Sequence, residues 1–197
     1  MDTTAVKLES KLRSRLYTLR QMEQVIPKVL LKKVSDGIFM SVLRYGLGIY
    51  CPIRVEESDP HHTNIEGIKV VFNNMLRLLC GSKRSEHTSV KSMLEKLGWL
   101  SINQLAAEVR LIEVWKAIHL SDYSLSHVFS KFESATLPTR SLQKNCLKNN
   151  LKSRIRENSF KYPSALLWNS APMSVTMADN EKAARKAIRK FVKSLPL

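Results

Sequence analysis

Residues 5–31 read AVKLESKLRSRLYTLRQMEQVIPKVLL. Ala5, Leu8, Leu12, Leu16 and Leu19 recur at steps of three and four, which holds them on one side of a 3.6-residue helix. Pro27 has no backbone N–H to give to a helical ladder, so it ends this helix, and its fixed φ suits the first turn of the next. Beyond it Leu31, Val34, Ile38, Val42 and Tyr45 share one face, and Gly46 and Gly48 follow as residues that close a helix through left-handed backbone angles. The pattern predicts an antiparallel hairpin of two helices.

Working outward, a polar and acidic connection from Arg54 to His62 leads to Thr63 and Glu66, which have the spacing of a capping box. A helix is predicted from about Asn64 to Cys80, with Ile65, Ile68, Phe72, Met75 and Leu79 inward and Gly81 as the stop. A shorter helix, Val90 to Leu97, ends at Gly98. Ser101 and Gln104 repeat the capping-box spacing ahead of Ile102, Leu105, Val109, Ile112 and Trp115, which read as the core stripe of a helix to about His119. After Leu120 the composition shifts. Leu125, Val128, Phe129 and Phe132 suit a short helix, but residues 134–162 mix basic and polar residues without a sustained period and read as loop or extended chain. Pro163 opens a helical turn through Trp168. Ala183, Ala187, Ile188 and Phe191 line a last amphipathic helix. The fold class is mainly α, divided near Leu120 into residues 1–120 and a more basic 121–197.

Charge and composition bound the function. The 197 residues carry 32 Lys and Arg against 17 Asp and Glu, a formal net charge of +15, which creates an attractive potential for polyanions. Nucleic acid is the first partner this favours and an anionic membrane surface the second. A membrane span is not expected, because no window approaches roughly 18 consecutive apolar residues. The start of the sequence lacks both a signal-peptide core and the acid-poor look of a transit peptide, which reads as an intracellular protein, cytoplasmic or nuclear. Cys51, Cys80 and Cys146 are odd in number and widely spaced, so three reduced thiols are expected.

The motifs that carry chemistry are missing from the sequence. It has no GxxxxGK[ST] loop, no GxGxxG turn, no GxSxG elbow and no HExxH pair. The five aspartates, at positions 2, 36, 59, 122 and 179, are scattered, so a pair that could hold two metal ions for phosphoryl transfer is not evident. His61 and His62 with Cys51, or Cys80 with His87, do not make two close ligand pairs of zinc-finger type. The expectation is a chain with no catalytic residues, no metal and no cofactor.

Basic residues are the positive signal. Arg13, Tyr17, Arg20 and Gln24 fall at i, i+4, i+7 and i+11 beside the apolar face of the first helix, so guanidinium groups and an aromatic ring could meet a nucleic-acid backbone. Lys28, Lys32 and Lys33 extend the charge past Pro27. Between Lys131 and Lys161 the cations Arg140, Lys144, Lys148, Lys152, Arg154, Arg156 and Lys161 face only Glu133 and Glu157. The candidate nucleic-acid-binding set is therefore Arg13, Tyr17, Arg20, Lys28, Lys32, Lys33, Arg140, Lys148, Lys152, Arg154, Arg156 and Lys161. The same residues also suit solvated helix faces and a disordered linker. Lys182, Arg185, Lys186, Arg189, Lys190 and Lys193 read as the polar side of the last amphipathic helix.

Taken in order, KLRSRLYTLRQMEQVIPKVLL, SVLRYGLGIY, NNMLRLLCG, MLEKLGWLSINQLAAEVRLIEVWKAI and SFKYPSALLWNSAP resemble the C-terminal part of reverse transcriptases from non-long-terminal-repeat retrotransposons, of the LINE or jockey-like kind. The resemblance implies that Arg15, Leu16, Tyr17, Leu19 and Arg20 belong to the opening helix of a polymerase thumb, that Pro27 is its helix break, and that Tyr45, Gly46 and Leu47 end the second helix. It places Gly98, Trp99, Leu166, Trp168, Asn169 and Pro172 in a post-thumb region. Residues 1–120 are then thumb-like helices with a connector, and 121–197 a basic post-thumb region. A thumb clamps template and primer, so the implied partner is RNA or an RNA/DNA template–primer duplex. A polymerase palm is a further partner. The palm aspartates and the endonuclease of that family have no counterpart here, and the cysteines lack the spacing of its terminal Cys/His knuckle. No catalytic residue carries over. A protein-docking module is the alternative this leaves.

Overall fold

A computed structural model describes residues 3–50, 66–126 and 161–195. Every regular element among the described residues is a helix, so the chain is mainly α as expected. No described helix is long and apolar enough to cross a membrane. The chain divides into two compact units. One holds the described residues through Ile102, the other those from Asn103 onward.

The first unit is built on α1 (Thr3–Glu23), α2 (Lys28–Ile38), α3 (Met40–Tyr50), α4 (Glu66–Cys80) and α5 (Val90–Leu97). Leu8, Leu12, Leu16 and Leu19 are buried along α1 as their spacing predicts. The glycine stops also form as read. Gly81 (φ 69°) and Gly98 (φ 66°) take left-handed angles. At each end the two following amides cap the helix: Gly81 and Ser82 N–H reach Leu78 and Arg77 O, and Gly98 and Trp99 N–H reach Glu95 and Leu94 O. Ser89 caps α5 by accepting the Ser92 N–H at 3.2 Å.

The second helix departs from its expected form in two ways. Its buried row is Leu31, Ser35, Phe39, Leu43 and Leu47, a strict i+4 series, whereas Tyr45 is 77% exposed and Val34, Ile38 and Val42 are half-buried. Ser35 makes this row possible, because its hydroxyl donates to Leu31 O at 2.7 Å and enters the core already satisfied. Nor do Gly46 and Gly48 stop the helix. After a one-residue irregularity at Phe39, whose backbone stays helical, the chain continues as α3 to Tyr50. Gly46 is instead a close-packing position inside α3, where any Cβ would collide with the buried Leu8 side chain. Thr63 lies outside the described residues, and the following helix begins at Glu66.

Contacts along α1 fix the directions of its neighbours. The Glu9 carboxylate lies against Gly67 in the first turn of α4, while Arg20 and Glu23 at the other end share a cleft with Arg77 and Leu78. The two helices therefore run parallel, and Glu9 faces the positive end of the α4 dipole. The α2–α3 rod runs the opposite way, with Lys28 beside Gly81 and Gly46 beside Leu8. α5 folds back on α4: Phe72 stacks on Trp99 at 6.2 Å between ring centroids, and Cys80 Sγ reaches Met93 O at 3.9 Å.

The second unit contains α6 (Ile102–His119), α7 (Lys161–Ser170), α8 (Met173–Thr176) and α9 (Glu181–Lys193). α6 is buried around most of its circumference, with Leu105, Ala106, Leu111, Val114 and Trp115 nearly inaccessible. Val109 and Ile112, read as core, are only half-buried, because Leu111 and Val114 take the inner positions. Gln104 Nε2 donates to Leu195 O at 3.1 Å, and Glu181 lies within the field of Lys116, so α9 runs antiparallel to α6. Ala184, Ile188 and Val192 bury the inner face of α9, and Asn180 caps it by accepting the Ala183 N–H at 2.9 Å. After α6, Tyr123 donates a very short hydrogen bond to Glu113 and lies under Lys116 Nζ, 5.6 Å from the ring centroid.

These arrangements give two tests. Gly37 is exposed within α2 with nothing within 4 Å of an added Cβ, so Gly37→Ala is expected to stabilise the fold by about 0.5–1 kcal/mol through helix propensity. Gly46→Ala gains the same propensity but forces Leu8 aside, and a net loss of about 1 kcal/mol is expected in thermal unfolding. Burial, with the Glu113 hydrogen bond second, pushes the Tyr123 phenol from 10.0 up to about 12. The folded state thus holds this proton more tightly than the unfolded chain. Its stabilising contribution is complete below pH 10 and is lost as pH rises toward 12. Phenolate absorbance should show the component near pH 12 in the parent chain and not in Tyr123→Phe.

Candidate nucleic-acid interface

The α1 helix turns its leucines inward, so its opposite side must face solvent, and that side carries the predicted stripe. Arg13, Tyr17, Arg20 and Gln24 are all exposed, Tyr17 at 66%. They are not equivalent. Arg13 forks onto Glu9 Oε1, with Nη2 at 2.6 Å and Nε at 2.8 Å, so its charge is offset within the helix. Arg20 makes no ion pair or hydrogen bond with another described residue and opens onto the cleft at the end of α1.

Beyond Pro27 the three lysines also divide. Lys33 is exposed. Lys28 extends its amine to Gly81, at the end of α4. Lys32 is half-buried, and its Nζ donates to Leu97 O at 2.7 Å, which satisfies a terminal carbonyl of α5 and sets a cation at the negative end of that helix. Lys32 therefore ties α2 to α5. Arg140, Lys148, Lys152, Arg154 and Arg156 lie outside the described residues, while Lys161 opens α7. On α9 the basic residues are exposed. Arg185 forks onto Glu181 at 2.5 Å and holds that carboxyl below its ordinary range.

The cleft brings in residues that sequence reading missed. Its volume is about 420 Å³, and it is lined by Arg20 and Glu23 from the last turn of α1 and by Asn74, Arg77 and Leu78 from α4. Gly81, Ser82 and Arg84 close it from the turn that follows. Arg77 and Arg84, like Arg20, make no ion pair or hydrogen bond with another described residue. The sequence signal for them is slight: NNMLRLLCGSKR shows cations on both sides of a glycine stop, which by itself indicates only a helix C-terminus. Packing α1 parallel to α4 brings Arg20 to the cleft that Arg77 and Arg84 also line.

Chemically, the cleft offers positive charge and hydrogen-bond donors, not a proton-transfer pair. No group of three or more His, Cys, Asp or Glu among the described residues could hold a metal ion. Cys80, the free thiol among them, is half-buried, and burial pushes its thiol up against the opposing pull of Lys96 and Lys28. Compared with known proteins, the chain matches no family model, no curated protein and no solved structure.

The division of the lysines is testable. Lys32→Ala should lower stability by about 1–3 kcal/mol in denaturant unfolding, because a charged hydrogen bond is lost at a half-buried carbonyl. Lys33→Ala, at an exposed position, should stay within about 0.5 kcal/mol of the parent.

Proposed function

We propose that this chain is a non-catalytic helical module that holds nucleic acid through its phosphate backbone, with the C-terminal thumb and post-thumb segment of a non-long-terminal-repeat retrotransposon reverse transcriptase as its parent class. The observation that carries the binding reading is the exposed face of α1, where Tyr17 stands between Arg13 and Arg20 and the free cations lead into the arginine-lined cleft. Guanidinium groups suit phosphate oxygens bidentately, and an exposed ring offers a stacking surface that tolerates any base. The net charge of +15 adds long-range attraction. The parent class is supported by the order of the sequence motifs. Under this reading the ligand is element RNA or an RNA/DNA template–primer duplex, the protein works inside the cell, and catalysis belongs to a polymerase palm rather than to these residues.

A second reading has its own observation. Around Pro27 the apolar side chains Val25, Val29 and Leu30 are exposed at 83%, 72% and 50%, which suits docking against a polymerase palm or another protein. The two readings make opposite demands on one experiment. Binding of single-stranded RNA and of RNA/DNA duplex is measured by fluorescence anisotropy across a fourfold range of salt. Three phosphate contacts on a single strand correspond to a log–log slope of about −2 and a loss of more than about tenfold over that range. Arg13→Glu with Arg20→Glu should abolish the binding, and Val25→Ser with Val29→Ser should spare it. Binding that is absent, or insensitive to salt, contradicts the backbone-holding reading.

A further inference from the structure

The cleft at the shared end of α1 and α4 is lined by arginines from three segments. Several bases of the described helices join an acid one turn away: Arg13 with Glu9, Lys69 with Glu66, Lys116 with Glu113, Arg185 with Glu181. Arg20 has Glu23 one turn away, lining the same cleft, and the two are not bonded. Arg77 and Arg84 are likewise without a bonded partner among the described residues, and the amine of Lys28 lies at the rim beside Gly81. Four cations against one carboxylate repel one another in the unliganded protein, and an anion seated among them removes that repulsion.

Helix dipoles explain part of this cluster. Arg20 and Arg77 sit in the last turns of α1 and α4, where cations are favourable. They do not explain Arg84, which belongs to a short 3₁₀ turn after Gly81 and closes the cleft from outside either helix. Moreover, the Leu78 and Arg77 carbonyls are already satisfied by the Gly81 and Ser82 amides, so the guanidinium groups are not needed as caps there. Arginines from three segments line the cleft together with Asn74 and Ser82, and several forked donors suit the multiple oxygens of a phosphate group. The volume, about 420 Å³, exceeds a bare phosphate and is sufficient for a nucleotide unit.

We infer that this cleft is a phosphate-binding subsite, in which Arg20, Arg77 and Arg84 clamp one phosphate group while Asn74 and Ser82 supply further donors. This rests on the nucleic-acid reading above and deepens it, since Arg20 joins the α1 stripe to the subsite and a strand lying along Tyr17 would bring its phosphate there. A strand phosphate and a free phosphate compound share the chemistry.

The test uses the full chain, a twenty-nucleotide oligo-dT, dTMP and inorganic pyrophosphate as probes, and three variants: Arg77→Gln/Arg84→Gln, Arg84→Gln alone, and Lys186→Gln/Arg189→Gln on the exposed face of α9 as a charge-matched control. Thermal melting accompanies each, and Arg84→Gln, outside both helices, is expected to melt with the parent. The cleft double variant should weaken oligonucleotide binding at least about tenfold, and Arg84→Gln by several-fold, with a shallower salt slope. The control should lose less than about threefold. Equal losses in the cleft and control variants overturn the subsite and leave the nucleic-acid reading intact. If the parent chain binds no oligonucleotide at low salt, the nucleic-acid reading fails, and arginine side-chain NMR decides the cleft. Pyrophosphate-induced shifts that Arg84→Gln abolishes then support a site for free phosphate compounds, and no shifts overturn it. With oligonucleotide binding present, dTMP or pyrophosphate binding more tightly than the strand assigns the site to the free compound.

Discussion

Leu8, Leu12, Leu16 and Leu19 form one buried row along α1, and the fold of the first unit depends on how that row is met. Burying each leucine contributes on the order of 2 kcal/mol. The particular geometry comes from two glycines. Gly67 lets the Glu9 carboxylate lie against the start of α4, and Gly46 lets α3 close onto Leu8. With both approaches open, α4 runs parallel to α1 while α2 and α3 run against them. The last turns of α1 and α4, each carrying an arginine, line one cleft. The cleft is a consequence of the core.

What local chemistry determines was legible in the sequence. The leucine period of α1, the bounds of α5 and the glycine stops at Gly81 and Gly98 all follow from spacing and backbone freedom, and they form as read. Where a side chain's role depends on its partner, spacing misleads. Ser35 looks like a surface residue until its hydroxyl is seen returning to Leu31 O, and passing over it rotates the predicted core face of α2 and α3 onto Tyr45. Gly46 looks like a stop because the neighbour that needs its missing Cβ, Leu8, is far away in sequence. For the same reason the stripe on α1 was visible and the cleft was not. Arg20 lies far in sequence from Arg77 and Arg84 and joins them along the cleft only after packing.

The excess of positive charge is not spent uniformly. Lys32 caps α5, and Arg13 and Arg185 are taken up by glutamates within their own helices. At one end of the first unit Arg20, Arg77 and Arg84 line one cleft with Lys28 at its rim, while Lys7, Lys11, Arg15 and Lys33 stand exposed elsewhere on that unit. Cations without an acidic partner can meet a phosphate directly, whereas a paired cation such as Arg13 must first exchange its carboxylate for the phosphate. The exposed apolar residues next to the cations give that end a mixed character suited to gripping a strand while leaning on another protein surface.

Photo-crosslinking of a single-stranded oligonucleotide to the full chain, with adducts mapped by mass spectrometry, addresses the central claim most directly. The account predicts adducts at Tyr17 and within residues 74–84, both suppressed by rising salt. Adducts confined to other segments, such as Glu181–Lys193, with none on α1 or the cleft, would contradict it.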